Sequence, residues 1–266
     1  MQREAGQTQG LRLHLLILGL VLGACGECHA PAPPSEGSAL PPLVGMRVAQ
    51  SMRLTQGEDG WAGSLELMVD TRLTDALRDE LWATGRPDDG NPDQSSADGG
   101  LSPWANPRPA VLQVRDAQGA IRDRWNLEHS LARLEPRRRL SSSRALFWLS
   151  VDYSALAGAY NGPITTPIEI EGGRLHAVEV VNEQGARTPL RLMRSLRSDW
   201  RFAPARTGTG EDILHVFTAE DPKRAGEFVV TYERLTFDGR RWARHLRQED
   251  GVWESDEEFP SEDEFP

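Results

Sequence analysis

The segment from Ala145 to Tyr153 constrains the fold of this chain most strongly, because it is apolar on both sides of an extended strand. Its faces carry Phe147, Leu149 and Val151 on one side and Leu146 and Trp148 on the other. A strand with two apolar faces is normally central in its sheet, since both faces have to be covered. The pattern therefore predicts a sheet with this segment at its centre.

The rest of the chain alternates between strand-like runs and turn residues. Predicted strands cover residues 44–54, 61–69, 110–115, 120–127, 164–170, 175–181, 190–193, 213–217, 228–237 and 240–248. Thr74 to Trp82 is the best helix pattern, with Thr74 or Asp75 as its cap. Because no helix pattern is long enough to connect parallel strands, we predict a mostly β fold rather than a doubly wound α/β fold.

Two turn signals favour antiparallel pairing of these strands. Asp116 to Gly119 joins two strand-like runs, and its glycine suits the left-handed position of a hairpin. Asp238-Gly239 is the strongest hairpin signal in the chain. We therefore predict an antiparallel sandwich or barrel-like domain with one short helix, and a small or partial β-propeller is the alternative.

Residues 1–24 have the parts of a secretory signal peptide. Arg3 and Arg12 lie in a polar start, and an apolar run follows from Leu13 to Leu22. This run is too short to cross a bilayer, which takes about 20 apolar residues in a helix. The small residues Gly23 and Ala24 then provide a cleavage point before Cys25.

The sequence Leu22-Gly23-Ala24-Cys25 resembles the lipobox of bacterial lipoproteins. The resemblance implies that the Cys25 thiol carries a diacylglycerol, that cleavage occurs before it, and that the new amino terminus is acylated. Several acyl chains anchor a protein stably, whereas one chain binds a membrane only marginally. Gly26, rather than an aspartate, follows the cysteine, and in Gram-negative members of the class this implies the outer membrane, facing the periplasm.

Cys25-Gly26-Glu27-Cys28-His29 also matches the C-x-x-C-H pattern of c-type haem attachment, in which His29 would be an axial ligand. This is a remote alternative, because the proline-rich residues 30–43 that follow cannot form the helices that usually enclose a haem. A third alternative is an ordinary cleaved leader with a disulfide between Cys25 and Cys28. The favoured lipobox interpretation requires no cofactor.

Composition changes along the chain divide it into segments. Residues 1–24 are the predicted signal peptide, and residues 25–43 are the lipidated cysteine with a proline-rich linker. Residues 44–253 form the β-rich globular domain, in which the Asp-, Gly- and Pro-rich residues 86–103 are expected to be a mobile surface insertion. Residues 254–266 are an acidic tail.

Much of the formal net charge of −10 lies in that tail, which has seven acids and no base. They are Glu254, Asp256, Glu257, Glu258, Glu262, Asp263 and Glu264. A mildly acidic domain without a basic face argues against nucleic acid as a partner. Because Phe259 and Phe265 interrupt the acids, we expect the tail to dock on a basic groove, in its own domain or in a partner.

Few residues of the domain suggest a site. Asp152 and Tyr153, with Tyr160 and Asn161, follow the predicted central strand into a glycine-rich loop, where ligands are often bound. Trp200 and Trp242 could form stacking surfaces for sugars or peptides. No G-x-S-x-G elbow occurs. The single histidines His129, His176, His215 and His245 have no zinc spacing, so no metal site is predicted.

These features favour a lipid-anchored cell-envelope lipoprotein whose β-rich domain binds or scaffolds an envelope protein or a glycan. The alternative is an envelope hydrolase that uses paired carboxylates, because such pairs leave no sequence signature. We regard a non-enzymatic role as the better interpretation, and the sequence does not identify the ligand.

Overall fold

The computed structural model describes residues 40–54, 62–84, 107–135, 146–152, 159–182, 184–206, 210–238 and 241–266. The leader, the insertion at 86–103 and Tyr153 lie outside these residues. The described strands are β1 (Met46–Leu54), β2 (Gly63–Asp70), β3 (Val111–Asp116), β4 (Ile121–Asn126), β5 (Ala132–Glu135), β6 (Leu146–Asp152), β7 (Pro163–Glu171), β8 (Arg174–Ala177), β9 (Glu179–Val181), β10 (Arg187–Pro189), β11 (Leu192–Met193), β12 (Ser198–Pro204), β13 (Glu211–Glu220), β14 (Phe228–Phe237) and β15 (Trp242–Asp250). The α-helix α1 (Asp75–Thr84) and a 3-10 helix (Glu262–Glu264) complete the described elements.

The strands form three sheets, and each sheet is built on a meander of four consecutive strands. Sheet A has the order β1-β2-β3-β4, and sheet B contains β5, β6, β7 and β8 with β11 beside β7. Sheet C has the order β10-β9-β15-β14-β13-β12. Among the described strands, every pair is antiparallel except that of β9 with β15. The predicted mostly β fold with one short helix is confirmed.

Strand β6 lies between β5 and β7 and supplies side chains to two hydrophobic cores. Phe147, Leu149 and Val151 belong to the core between sheets A and B. Trp148 belongs to the core between sheets B and C, where it stacks on Trp200 with ring centroids 5.7 Å apart. Sheet B is therefore the middle layer, and the predicted central position of this strand is confirmed.

The chain crosses between sheets B and C at two buried corners. Only Val178 separates β8 of sheet B from β9 of sheet C. The return path runs through Leu190, whose backbone N–H donates to the Val178 carbonyl at 2.7 Å. Both corner residues are buried in the core between the sheets. Strands that change sheets at a corner are a feature of β-sandwiches, so the corners hold these two layers together.

Side chains connect the edges of sheets A and B where no backbone ladder does. The Gln50 amide on β1 donates to the Leu134 carbonyl at 3.0 Å and accepts from the Leu134 N–H at 2.8 Å. On the other side, the Asp123 carboxylate on β4 accepts from the Leu175 N–H at 2.8 Å. These bonds satisfy backbone groups that an open sheet edge would leave without partners.

Local sequence signals explain the turn after β3 and the start of α1. Asp116 accepts from the backbone N–H groups of Gln118 and Ala120, while Gly119 has a φ of 85°. Thr74 precedes α1 and accepts from the Leu77 N–H at 3.2 Å, which is an N-cap bond. None of the helices in the described ranges is both long and apolar enough to cross a membrane.

The C-terminal segment covers the face of sheet C that points away from sheet B. Trp253 and Phe265, with Phe259 beside them, pack on the inner residues of this face, which are Ala203, Leu214, Val216, Val230 and Tyr232. The Arg201 guanidinium lies 4.3 Å from the centre of the Phe259 ring and donates to the Pro260 carbonyl at 3.2 Å. The segment thus docks on its own domain through aromatic rings and backbone carbonyls.

The middle position of β6 predicts that both of its faces contribute to stability. We expect Leu149→Ala and Trp148→Ala each to lower the free energy of unfolding by about 3 kcal/mol, because each leaves a cavity in a different core. Val44→Ala, at a residue that is 82% exposed, is the control and should change it by less than about 0.5 kcal/mol. Urea denaturation measures the free energy of unfolding of all three variants. A change as small as that of the control in either β6 variant would contradict the two-core arrangement.

Candidate functional site

Four polar side chains on consecutive strands of sheet C form a row, of which the first three are buried and the fourth is half-buried. Ser198 Oγ on β12 lies 2.9 Å from His215 Nε2 on β13. His215 Nδ1 lies 2.8 Å from Glu233 Oε2 on β14. The other carboxylate oxygen of Glu233 forms an ion pair with Arg244 on β15. We call Ser198, His215, Glu233 and Arg244 the polar row.

The strand register brings this row together on the face that points toward sheet B. His215 and Glu233 are direct cross-strand partners, and Trp200 on β12 faces His215. Ser198 shares the face of Trp200 because it lies two residues earlier in the strand. Trp200 belongs to the core between sheets B and C, so the row continues that core as a polar strip. Ser198, His215 and Glu233 are 2%, 5% and 2% exposed.

The row has two possible proton arrangements, because the Ser198 hydroxyl has one proton and two acceptors. Its oxygen lies 2.9 Å from His215 Nε2 and 3.0 Å from the Met193 carbonyl oxygen. When the Ser198 hydroxyl donates its hydrogen bond to Nε2, the imidazole is neutral and its Nδ1–H donates to Glu233. When the hydroxyl donates to the Met193 carbonyl instead, Nε2 has to donate to Ser198, which requires an imidazolium.

The charge on Glu233 orients the histidine. Burial alone would raise the pKa of Glu233, but the hydrogen bond from His215 and the ion pair with Arg244 lower this pKa below its ordinary value. The carboxylate is therefore ionised at neutral pH and accepts the proton that His215 Nδ1 carries. This contact fixes which ring nitrogen faces Ser198.

All four buried acids of the described residues are paired with arginines. The pairs are Asp70–Arg72 at 2.6 Å, Asp116–Arg122 at 2.6 Å, Asp212–Arg234 at 2.8 Å, and Glu233–Arg244. The Arg72 guanidinium holds the pKa of Asp70 well below its usual range. This lowered pKa keeps Asp70 ionised at neutral pH, which makes it a poor general acid. The described residues include no group of three or more His, Cys, Asp or Glu side chains that could hold a metal ion.

Aromatic and aliphatic side chains surround Arg197, which lies one residue before Ser198. The Arg197 side chain is 20% exposed and forms an ion pair with Glu254 at 3.6 Å. The Arg197 guanidinium lies 4.5 Å from the centre of the Phe228 ring and 5.9 Å from that of Tyr160. Tyr160, Leu196 and Val252 are each 45% exposed. Val252 is near Phe228 in the fold, since its neighbour Gly251 donates to the Phe228 carbonyl at 3.0 Å. We call Tyr160, Leu196, Arg197, Phe228 and Val252 the Arg197 surface.

The residues singled out from the sequence do not form one site. Tyr160 belongs to the Arg197 surface, and Asn161 is its half-buried neighbour. Asp152 ends β6, and its backbone N–H donates to the Leu131 carbonyl at 2.9 Å. Trp200 and Trp242 are 3% and 2% exposed. Their rings are packed inside the core, so they do not offer the stacking surface that the sequence suggested.

Sequence reasoning missed the polar row because it treated the histidines singly. The available signal was a polar residue at an inward position of an apolar strand. Ile213 and His215 share one face of β13, and Leu235 and Glu233 share the same face of β14. The two signals combine into a site only when the register of β13 and β14 is known.

Comparison with protein-family models, with curated proteins and with solved structures gave no match. The functional interpretation therefore rests on the residues and geometry of this chain.

The polar row predicts a pH-dependent contribution to stability. We expect Glu233→Gln to lower the free energy of unfolding by about 2 kcal/mol near neutral pH, because it removes the charged partner of the half-buried Arg244 and of the His215 N–H. The folded pKa of Glu233 is lowered, so its contribution is present above the unfolded value of about 4.3 and is lost as pH falls through the folded pKa.

The difference between wild type and Glu233→Gln should therefore narrow as pH falls below about 4.3. Urea denaturation over a pH series measures it, with Glu258→Gln at an exposed position as the control. A difference that stays constant through the acid range would contradict a stabilising charge on Glu233.

Proposed function

We propose that this protein is a lipid-anchored cell-envelope lipoprotein whose β-rich domain binds or scaffolds a partner facing the periplasm. The observation that carries the anchor is Leu22-Gly23-Ala24-Cys25 directly after an apolar run. The first described strand begins at Met46, so the proline-rich residues 30–43 would separate the lipid from the folded domain. Gly26 favours the outer membrane as the location.

The Arg197 surface supports binding as the role of the domain. It combines a planar cation with two aromatic rings and the exposed side chains of Leu196 and Val252. Arginine and aromatic residues are enriched at protein interfaces, and they contribute much of the binding energy there. The partner of this surface is an envelope protein, or a glycan whose sugar ring lies against the exposed Tyr160.

The buried acids favour this role over hydrolysis by paired carboxylates. A carboxylate acid/base pair needs one carboxyl group whose pKa is raised so that it can donate a proton. The pKa values of the buried acids Asp70, Asp116 and Glu233 are lowered instead, and each of these acids is paired with an arginine. Binding through the open surface is therefore the better supported function.

Removal of the Cys25 thiol tests the anchor. We expect Cys25→Ser to release the protein from membranes into the soluble fraction, because no acyl chain can be attached. Cys28→Ser is the matched control and should stay with membranes, since Cys28 lies outside the lipobox. Membrane fractionation and mass spectrometry of the amino-terminal peptide provide the readouts. Retention of Cys25→Ser in the membrane, or a haem on the wild-type peptide, would overturn the proposal.

Position-specific crosslinking tests the binding surface in intact cells. A photoreactive amino acid at position 196 should give a discrete adduct, which Arg197→Glu should abolish by reversing the charge at the centre of the surface. The same probe at position 44 is the matched control, because Val44 is also an exposed aliphatic residue but precedes sheet A. Identical adducts from both positions, or none from position 196, would argue against the Arg197 surface.

A further inference from the structure

The polar row has the connectivity of an activated serine. A serine nucleophile needs a base within hydrogen-bond reach, at about 2.6–3.2 Å, and a third group that orients the base. Ser198 Oγ to His215 Nε2 is 2.9 Å, and His215 Nδ1 to Glu233 Oε2 is 2.8 Å. Ser198, His215 and Glu233 thus have the positions of nucleophile, base and orienting group. The Glu233 carboxylate is bonded to Nδ1, the imidazole nitrogen that does not face Ser198.

Each neighbour of the row supports this assignment. Arg244 keeps Glu233 ionised, so the carboxylate holds the Nδ1 proton and leaves Nε2 free to accept from Ser198. The Met193 carbonyl is the alternative acceptor for the hydroxyl proton, at 3.0 Å. The Ser198 hydroxyl donates to this carbonyl when His215 is protonated and cannot accept its proton. In the resting protein, Ser198 therefore has a hydrogen-bond partner whether the His215 imidazole is neutral or protonated.

The serine is buried, but the turn that precedes it is partly exposed. Ser198 begins β12, and Leu196, two residues earlier, is 45% exposed. Residues 194–198 form a turn in which the Ser195 N–H donates to the Ser198 carbonyl at 2.8 Å. Gly162 packs against this turn so closely that a Cβ at that position would lie 1.7 Å from the Arg194 carbonyl oxygen. The turn therefore packs tightly against the loop that contains Tyr160 and Gly162, immediately before Ser198.

We propose that Ser198 is a nucleophile that accepts the acyl group of a carboxylic ester when the 194–198 turn is displaced. Ser198 Oγ attacks the acyl carbon while its proton moves to His215 Nε2. The ester C–O bond breaks, and the imidazolium returns that proton to the departing alcohol. Water then attacks the acyl-serine with His215 as the base, which releases the carboxylic acid and restores the hydroxyl. Leu196 in the turn and Tyr160 beside it suit an apolar acyl group. This inference does not rest on the lipid anchor, but it uses two residues of the Arg197 surface proposed above to bind a partner.

A fluorophosphonate probe tests the nucleophile, because it forms a stable bond only with an activated serine. The full chain in detergent is incubated with the probe at about pH 8, where an ordinary imidazole is neutral. Peptide mass spectrometry should find the adduct on Ser198, and Ser198→Ala should carry none. His215→Gln should react about 100-fold more slowly, since general-base assistance typically contributes at least that factor.

Ser51→Ala is the matched control, because Ser51 is an exposed serine on β1 of sheet A, away from the polar row and the 194–198 turn; its labelling should equal that of wild type. Circular dichroism checks the fold of each variant. Wild-type protein without an adduct on Ser198 overturns the proposal, whatever the variants do. An adduct on another serine, or equal labelling of folded His215→Gln, also overturns it. A structural role for the row would leave Ser198 unlabelled.

Discussion

The burial of β6 on both faces is the constraint on which the rest of this structure depends. Its alternate side chains enter two different cores, so sheets A and C can pack only on opposite sides of sheet B. Burial of apolar area contributes about 25 cal/mol per Å², and β6 contributes to both layers at once. The corners at Val178 and Leu190 then join sheets B and C through the backbone, while Gln50 and Asp123 join sheets A and B through side chains.

The outer face of sheet C would expose apolar side chains if the C-terminal segment did not cover it. Two phenylalanines and Trp253 supply the cover. Arg201 on β12 and Arg206 just after it donate to backbone carbonyls of the segment, and Arg197 forms an ion pair with Glu254. The carboxylates at 256–258 and 262–263 therefore remain exposed to solvent. The segment thus combines an apolar inner side with an acidic outer side, which is why its composition resembles a solvating tail although it completes the fold.

The parts of the fold that depend on local patterns could be predicted from the sequence. The two apolar faces of β6 predicted its central position, and Asp116 with Gly119 predicted the hairpin between β3 and β4. The polar row could not be predicted, because Ser198, His215 and Glu233 lie on three different strands and meet only through their register. Trp200 and Trp242 were misleading for a related reason. Strand periodicity shows which residues share a face, but it does not show whether another sheet covers that face.

Native-state hydrogen exchange across a denaturant series tests the central layer most directly, because it measures the opening free energy of each strand separately. If β6 holds both cores together, its amides should exchange only through global unfolding, with the same free energy and denaturant dependence as those of β13. The amides of sheet A should exchange with an opening free energy that is equal to or lower than that of the β6 amides. Amides of β6 that exchange through a local opening, at lower free energy than those of β3 and β13, would contradict a fold organised around this strand.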